Sequence, residues 1–249
     1  MAGAEILGRL SWLSGRVVEV VEENATARTI VFDCPGWPGH LPGQHLDMRL
    51  TAEDGYQAQR SYSIARPGDV DRVAITVELV ANGEVSPYLV EEMLPGDEVE
   101  LRGPIGGYFV WRPEQSEPLL LVGGGSGVVP LMCMVRAWRD DGMSAPVRLV
   151  VSARSEERLL YAEELSALGG IDGIDVVVTL TRSRPPGWEG PSRRVDAEML
   201  TAAGFEPSDG TITYICGPTG FVESVATLLV GLGHSPEAVR TERFGPSGG

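Results

Sequence analysis

The spacing of apolar and polar residues changes once along the chain, close to residue 113. Before that point, short runs of alternating or β-branched residues are separated by turns rich in Gly, Pro and Asp. These runs predict strands at 16–21, 26–33, 44–51, 57–64, 73–80 and 98–102. Short strands with regular turns are typical of antiparallel barrels and sandwiches. We therefore predict an N-terminal antiparallel β-barrel, interrupted by one short helical segment at 86–93.

Beyond residue 113, continuous apolar runs alternate with segments of helical period. The runs predict strands at 119–122, 147–152, 175–181 and 211–216, and the segments between and after them predict helices at 128–139, 161–168, 194–203 and 220–232. Alternating strands and helices indicate a parallel sheet covered on both faces. The polar stretch 112–118, which contains two prolines, separates the halves. We predict two domains, a barrel over residues 1–113 and an α/β nucleotide-binding domain over residues 114–249.

Composition narrows the class of function. The chain is 43% hydrophobic and 22% charged, as expected of a globular protein. A net charge of −15 argues against binding to nucleic acid or to an anionic membrane surface. No apolar run is long enough to span a membrane and no signal peptide is evident at the start, so we expect a cytoplasmic protein. Three dispersed cysteines and three dispersed histidines predict neither a disulfide framework nor a metal site.

The strand sequence Arg60-Ser61-Tyr62-Ser63 carries the strongest chemical signal. We expect the strand to present Arg60, Tyr62 and Ser63 on one side, because side chains alternate between the faces of a strand. That face would offer a cation for a phosphate, a flat ring for stacking and a hydroxyl for a heteroatom. A flavin nucleotide requires all three. An ordinary strand with an exposed arginine would have the same sequence.

Two further segments are suited to bind phosphate. Gly83, Val85 and Ser86 belong to a sequence that opens the short helical segment, where free backbone N–H groups attract anions, although an ordinary serine cap would look the same. The second segment lies where a predicted parallel strand ends and a helix begins, the usual place for a nucleotide phosphate. It consists of Gly123, Gly124, Gly125, Ser126 and Gly127.

The triplet Cys216-Gly217-Pro218 ends the next-to-last predicted strand of the chain. Ligands of such sheets bind at the carboxyl ends of the strands. A small sulfur side chain at this place could contact a planar ring without obstructing it. A free cysteine is also a common buried structural residue.

These four elements, in this order, resemble those of the ferredoxin–NADP reductase superfamily. The resemblance extends over about residues 16–246 and implies FAD as a cofactor. It implies that Arg60 holds a flavin phosphate, that the Tyr62 ring stacks on the isoalloxazine, and that Ser63 lies near flavin N5. Residues 83–86 would form a second phosphate contact, and residues 123–127 would hold the pyrophosphate of the nicotinamide nucleotide. Cys216 would lie beside the nicotinamide and flavin N5.

The end of the sequence agrees with this resemblance. The residues 242–246 resemble the terminal strand that brings an aromatic residue, here Phe244, near the flavin. In relatives with a plant-type iron–sulfur domain, that domain can follow such a segment. The present sequence ends at Gly249. We therefore expect a reductase without a fused iron–sulfur domain.

The residues after the second predicted strand of the α/β domain bear on the choice of nicotinamide nucleotide. An acid at this place favours NAD, and an arginine accommodates the 2′-phosphate of NADP. Ser152, Arg154 and Arg158 are the first candidates, and no acid precedes Arg154. We therefore expect NADPH to be preferred over NADH. Glu157 could instead bind the ribose of NAD.

The resemblance implies a flavin-dependent NAD(P)H reductase with Ser63 and Cys216 at the reacting atoms. Hydride from NAD(P)H would reduce FAD, and the electrons would pass to a separate one-electron acceptor such as a ferredoxin, a flavodoxin or an oxygenase component. Two alternatives remain open. One is a reductase of free flavin or another small molecule, and the other is a non-catalytic nucleotide-binding docking subunit.

Overall fold

A computed structural model describes residues 10–52, 54–80 and 82–245, and its first six strands form one antiparallel sheet. The strands are β1 (Leu13–Asn24), β2 (Ala27–Asp33), β3 (His45–Thr51), β4 (Gln57–Ser63), β5 (Arg72–Glu78) and β6 (Glu98–Ile105). They pair in the order β4-β3-β6-β1-β2-β5. A bridge between Ile64 and Ile75 joins the two end strands, so the sheet curls into a barrel. The predicted antiparallel architecture is confirmed.

The barrel is closed around an apolar interior. Its interior side chains include Ile30, Phe32, Leu46, Met48 and Leu101, all of which are fully buried. Burying one large aliphatic side chain stabilises a fold by roughly 1.5–3 kcal/mol, so this set is the main source of barrel stability. Strand β1 is longer than the predicted 16–21, because two irregularities in its pairing with β2 let it bend around both neighbours.

The second sheet is parallel, five-stranded and ordered β11-β10-β7-β8-β9. Its strands are β7 (Leu119–Gly124), β8 (Val147–Ala153), β9 (Ile174–Leu180), β10 (Ile212–Pro218) and β11 (Val239–Phe244). The helices are α1 (Val128–Asp140), α2 (Ala162–Leu168), α3 (Ala197–Leu200) and α4 (Thr219–Gly231). Leu119 and Leu121 pack with α1 and α2, whereas Leu120 and Val122 pack with α3 and α4. Both faces of the sheet are therefore covered, as predicted.

Two predicted helices differ from those in the structure. The helix expected at 194–203 is limited to α3, because the Asp196 carboxylate accepts a hydrogen bond from the Met199 N–H and fixes the start, while the backbone is already extended at Thr201. The helical segment expected at 86–93 contains a π-helical turn, Tyr88–Glu92, which buries Leu89 and Val90. The prediction of a helix was therefore right in type at 86–93 and too long at 194–203.

A chain of hydrogen bonds connects the two sheets. Tyr161, which precedes α2 and has a left-handed backbone (φ 57), bonds through its hydroxyl to Thr76 Oγ1 on β5 at 2.5 Å. Thr76 bonds to Thr29 on β2 at 2.6 Å, and the Thr29 hydroxyl donates to Glu23 on β1 at 2.5 Å. The phenol of Tyr161 is buried, and burial raises its pKa to about 12. The bonds therefore link the residue before α2, through hydroxyl groups on β5 and β2, to a carboxylate on β1.

Among the residues that the structure describes, no helix has the length and apolar character needed to cross a membrane. Within the same residues, no group of three or more His, Cys, Asp or Glu side chains is arranged to hold a metal ion. The three cysteines are free and buried, and they lie in different elements of the fold. Part of the resemblance noted above falls on Pro246, which lies outside the described residues.

Candidate functional site

A cavity of about 900 Å³ lies between the barrel and the carboxyl ends of the parallel strands. This volume is at the upper end of the range typical of sites for small organic ligands. Most of the predicted site residues line it, namely Arg60, Tyr62, Ser63, Gly83, Val85, Ser86, Gly124, Gly125, Ser126, Ser152, Arg154, Arg158, Pro218 and Phe244. The other four predicted residues, which do not line it, are Gly123, Gly127, Cys216 and Gly217.

Strand β4 supplies part of the barrel wall of the cavity. In its pairing with β3, Tyr62 lies opposite the buried Leu46, and Ser63 lies opposite His45. Neighbouring residues of a strand point to opposite faces, so Arg60 and Tyr62 share one row and Ser63 belongs to the other. The prediction that all three share one face is therefore wrong for Ser63. Ser63 still lines the cavity, and burial raises the pKa of the Tyr62 phenol to about 12.

Arg60 is held by an acid on the same wall. Its Nη2 lies 2.8 Å from Glu84 Oε2, and its Nη1 donates to the Gln59 carbonyl at 2.7 Å. The Tyr56 hydroxyl donates to the other carboxylate oxygen, Glu84 Oε1. The bond from Tyr56, and then that from Arg60, holds the pKa of Glu84 below its usual value. Strand β4 and the loop at 83–86 are thus joined through one carboxylate.

The loop at 83–86 is closed by its own serine. Ser86 Oγ accepts a hydrogen bond from the Val80 N–H at 3.0 Å, which leaves the hydroxyl proton available to a ligand. A Cβ at Gly83 would lie 2.7 Å from Ser86 Oγ, so only glycine lets the loop close in this way. Val85 is buried in the barrel core and anchors the loop. Gly83 and Ser86 are therefore structural as well as cavity-lining.

The opposite wall is built from backbone. After β7, a 3-10 turn, Gly125–Gly127, leads directly into α1, and the first turn of α1 holds no acid. Gly125 has a left-handed backbone (φ +58) with open space where a Cβ would stand. Gly127 instead packs against β10, because a Cβ there would lie 2.1 Å from the Cys216 carbonyl oxygen. The loop thus offers backbone groups and a helix N-terminus, a combination that favours anions.

At the end of β10, neither the Cys216 thiol nor Gly217 lines the cavity. Cys216 is fully buried, and burial together with nearby Glu242 raises the pKa of its thiol well above the ordinary value. Gly217 is still within β10 and has φ +154, and a Cβ there would meet the Phe221 ring at 2.9 Å. Pro218 and Phe221, which follow it in the chain, line the cavity.

The two candidate arginines of the parallel sheet differ in their contacts. Arg158 reaches across to the barrel, where its Nη1 donates to Thr26 Oγ1 at 3.2 Å and lies 3.6 Å from Glu78 Oε1. Arg154 is exposed, and in the part of the chain that the structure describes it makes no ion pair. Ser152 lies on the same edge of the cavity. Arg154 is therefore the cation more available to an incoming anion.

Comparison with known proteins agrees with this division of the cavity walls. A family model described as "Oxidoreductase FAD-binding domain" matches residues 15–110, and one described as "Oxidoreductase NAD-binding domain" matches residues 121–227. Ferredoxin–NADP reductase B of Sorangium cellulosum is 33% identical over 241 residues, which are 93% of this chain and 93% of that protein. The chain belongs to the ferredoxin–NADP reductase superfamily. The cavity of this superfamily member lies between its FAD-binding and NAD-binding domains.

Two further proteins show how far the similarity in sequence and in fold extends. A naphthalene 1,2-dioxygenase system ferredoxin–NAD(P)(+) reductase component of Pseudomonas putida is 30% identical over 212 residues, 83% of this chain. The chain spans 61% of the length of that relative. The flavohem-like FAD/NAD-binding domain of a nitric oxide dioxygenase from Vibrio cholerae has the same fold, with a TM-score of 0.83 and 23% identity. That match covers 94% of this chain and 99% of that domain.

Several cavity-lining residues were not identified from the sequence. Phe221 comes from the first turn of α4, and Thr76 and Glu78 come from β5. Glu84 lies within the predicted phosphate contact at 83–86, but no role was predicted for its side chain. For Phe221, the sequence offered one signal of a role in the cavity, namely an aromatic residue shortly after Gly217.

A half-buried acid lies next to the end of β10. Glu242 pairs with Cys216 across β10 and β11, and its Oε1 lies 3.7 Å from His45 Nδ1 on the barrel. Within the described residues, its Oε2 is buried without a hydrogen-bond partner. Burial raises the pKa of Glu242 to about 7. The carboxyl group is therefore partly protonated near neutral pH.

Proposed function

We propose that this chain is a flavin-dependent NAD(P)H reductase, which transfers hydride from NAD(P)H to FAD and passes electrons to a separate one-electron acceptor. The observation that carries the proposal is the single cavity walled by the FAD-binding domain on one side and the NAD-binding domain on the other. Bound FAD supplies the chemistry that couples a two-electron donor to a one-electron acceptor. The residues of the two walls bind and orient the cofactors.

The barrel wall fits a flavin nucleotide. Arg60 offers a guanidinium to a phosphate, and the half-buried Tyr62 offers a ring face to the isoalloxazine. The Val85 backbone N–H and the Ser86 hydroxyl proton provide a second contact for a pyrophosphate, whereas the Gly83 N–H donates to the Val80 carbonyl at 2.8 Å and closes the loop. Ser63, at the end of β4, also lines the cavity, and we assign its hydroxyl to the neighbourhood of flavin N5. Two separate phosphate contacts favour FAD over FMN.

The opposite wall fits a nicotinamide nucleotide. Gly124, Gly125 and Ser126 present backbone groups to its pyrophosphate at the start of α1. We assign Gly123 and Gly127 to the close packing that shapes this loop. Pro218 and Phe244, which pair across β10 and β11, frame the place where the nicotinamide and flavin rings meet.

We assign to Cys216 and Gly217 the positioning of this end of β10. Gly217 lets β10 approach Gly124 more closely than a side chain would allow, and the buried Cys216 fixes the strand just before it. The resemblance implies a thiol beside the reacting atoms. Its raised pKa keeps it neutral, so its role would be contact and geometry rather than nucleophilic attack.

We propose NADPH as the preferred nucleotide, with Arg154 as the main contact of the 2′-phosphate and Ser152 and Arg158 beside it. Arg154→Ala is expected to lower the efficiency of flavin reduction by NADPH about ten- to a hundredfold, because a charge-assisted bond is worth roughly 1.5–3 kcal/mol. Reduction by NADH is expected to stay unchanged. Steady-state kinetics with both nucleotides test this, and an equal loss with both would remove Arg154 from the 2′-phosphate site.

The domain boundary is part of the proposal. We place it between residues 113 and 114, so that residues 1–113 form the FAD-binding barrel domain and residues 114–249 form the NAD(P)H-binding domain. The two matches to family models, which end at residue 110 and begin at residue 121, support this division. The loop between β6 and β7 contains the boundary.

We propose a ferredoxin, a flavodoxin or an oxygenase component as the acceptor. The names of the P. putida and S. cellulosum relatives support a protein acceptor. Reduction of free flavin is a second candidate, because the Arg60–Glu84 ion pair competes with a phosphate for the guanidinium and so favours an exchangeable flavin.

Three measurements test the proposed function. The purified protein is expected to show the visible absorbance of an oxidised flavin, and heat release followed by chromatography is expected to identify FAD. Anaerobic addition of NADPH is expected to bleach the flavin, and a screen of oxidised ferredoxins, flavodoxins and free flavins then identifies the acceptor. A colourless protein that FAD does not reconstitute would show a docking subunit rather than an enzyme.

A further inference from the structure

The ion pair between Arg60 and Glu84 lies at the place where the flavin phosphate is proposed to bind. The guanidinium and the carboxylate are both partly exposed, at 49% and 42%, and both line the cavity. Because the Arg60 guanidinium is partly exposed to solvent, Glu84 is not needed to neutralise a buried charge. Its position brings a negative charge to within hydrogen-bond reach of the cation proposed to bind a negatively charged ligand.

Moving the Glu84 carboxylate away from this position would break two hydrogen bonds. Its Oε1 accepts from Tyr56 and its Oε2 accepts from Arg60, so the carboxylate is fixed from two sides. The loop that carries it is in turn closed by the Ser86–Val80 bond. A phosphate that bonds to Arg60 must share the guanidinium with this carboxylate or displace it. In both cases the ligand meets like-charge repulsion, which grows in proportion to the charge on the phosphate.

We propose that Glu84 is a specificity-determining residue of the flavin site, which selects a pyrophosphate over a terminal phosphate by repulsion at Arg60. The inference rests on the proposed function, in which Arg60 binds a flavin phosphate. A terminal phosphate monoester carries a charge of roughly −1.5 to −2 at neutral pH. Each phosphate of the FAD pyrophosphate is a diester-like group with about one negative charge. FMN therefore meets nearly twice the repulsion that FAD meets.

The same contacts fix the expected size of the effect. Two unit charges at about 4 Å in a water-like medium interact only weakly, and the effect is smaller where the groups are solvated. Removing the charge of Glu84 is thus expected to tighten the binding of FAD about threefold. Because doubling a charge squares this factor, the binding of FMN is expected to tighten about tenfold. Riboflavin has no phosphate, and its affinity is expected to stay the same.

The test is a titration of the full chain, stripped of flavin, with FAD, FMN and riboflavin, followed by flavin fluorescence. Glu84→Gln is the main variant, because the amide oxygen of glutamine can still accept from Arg60 while its NH2 group donates to the Tyr56 hydroxyl oxygen, which keeps the loop in place. Tyr56→Phe frees the carboxylate to turn away and is expected to change affinity in the same direction by less. Glu91→Gln is the matched control: it removes one exposed charge of the same domain that does not line the cavity.

The three ligands separate the outcomes. A gain for FMN that exceeds the gain for FAD, with no change for riboflavin or in Glu91→Gln, supports the proposal. Equal changes for all three ligands would show that Glu84 acts on loop structure, and weaker binding of FAD and FMN would show that Glu84 preorganises Arg60. Either result overturns the selection role. If the wild-type chain binds none of the three flavins, the proposed function itself is wrong.

Discussion

The two walls of the cavity solve the same problem, the binding of a phosphate, by different means. The barrel wall uses side chains, with the Arg60 guanidinium held by Glu84. The wall at the end of β7 uses backbone groups of a glycine turn at the start of α1. A side-chain cation can be weakened or strengthened by one neighbour, whereas a backbone site depends on the packing of the whole loop. Substitutions on the barrel wall should therefore change ligand binding, whereas substitutions in the glycine turn should change the packing of the loop as well.

Each wall has an acid near it, Glu84 on the barrel side and Glu242 on the other, and the two acids also differ. Glu84 is exposed and bonded at both oxygens, and its pKa is lowered. Glu242, beside the other wall, is half-buried, its pKa is raised to about 7, and one of its oxygens has no partner within the described residues. The first acid acts on a ligand through its charge. The second acts on the stability of the fold through the cost of its burial.

The largest effect is expected from Gly127→Ala. A Cβ at this position would lie 2.1 Å from the Cys216 carbonyl oxygen, so α1 and β10 would have to separate. Overpacking of this kind costs about 1–3 kcal/mol or more, and it would move the glycine turn. We expect lower stability in urea denaturation and at least a hundredfold slower flavin reduction by NADPH.

Gly220→Ala is the control for that substitution. Gly220 lies in α4 with no atom within 4 Å of its would-be Cβ, so alanine should stabilise the protein slightly. If Gly127→Ala is as stable and as active as Gly220→Ala, the glycine turn does not have the packing described here.

Cys216→Ala is expected to slow hydride transfer by up to about a hundredfold while leaving the flavin content unchanged. The buried thiol fixes the end of β10, where the nicotinamide is proposed to arrive, and a displacement of about 1 Å between reacting groups can cost that much. Anaerobic stopped-flow traces and the flavin-to-protein ratio measure the two quantities. Loss of flavin with a normal rate in the remainder would make Cys216 purely structural.

Arg60→Ala is expected to have the opposite signature, with flavin affinity about ten- to a hundredfold lower and a near-normal rate of hydride transfer in the molecules that retain flavin. Arg66→Ala is the matched control, because it also removes a barrel arginine from an exposed ion pair, with Glu19, outside the cavity. Equal flavin retention in the two variants would exclude Arg60 as the phosphate contact.

Glu242→Gln is expected to change the dependence of stability on pH. The folded pKa, about 7, is above the ordinary value, so the folded chain keeps a proton that the unfolded chain releases. Wild-type stability should be greatest below about pH 4.5 with respect to this group, and it should fall as pH rises to about 7. The loss is on the order of 2–3 kcal/mol. Urea denaturation from pH 5 to pH 8 should show a flatter profile for Glu242→Gln than for the wild type.

The sequence predicted the parts of this molecule that depend on local pattern. All six barrel strands, the strands β7, β8, β9 and β10 and the helices α1, α2 and α4 were expected near their observed places, because burial follows the alternation of residues. Strand β11 was indicated only by the resemblance at 242–246. The helix at 194–203 was overestimated because a side-chain cap and an extended Thr201 limit it to one turn. The Arg60–Glu84 pair and the Gly127–Cys216 contact joined residues far apart in the chain, and no local pattern encodes them.

The hydrogen-bonded hydroxyls that run from Tyr161 through Thr76 and Thr29 to Glu23 have a consequence for the energetics of opening. Breaking the chain at one link leaves buried donors or acceptors unsatisfied on both sides of the cavity. Local unfolding of β5 and of the start of α2 should therefore occur as one event. In amide exchange with deuterium, protection gained on one wall when a ligand binds should extend to β2 and β5 on the other.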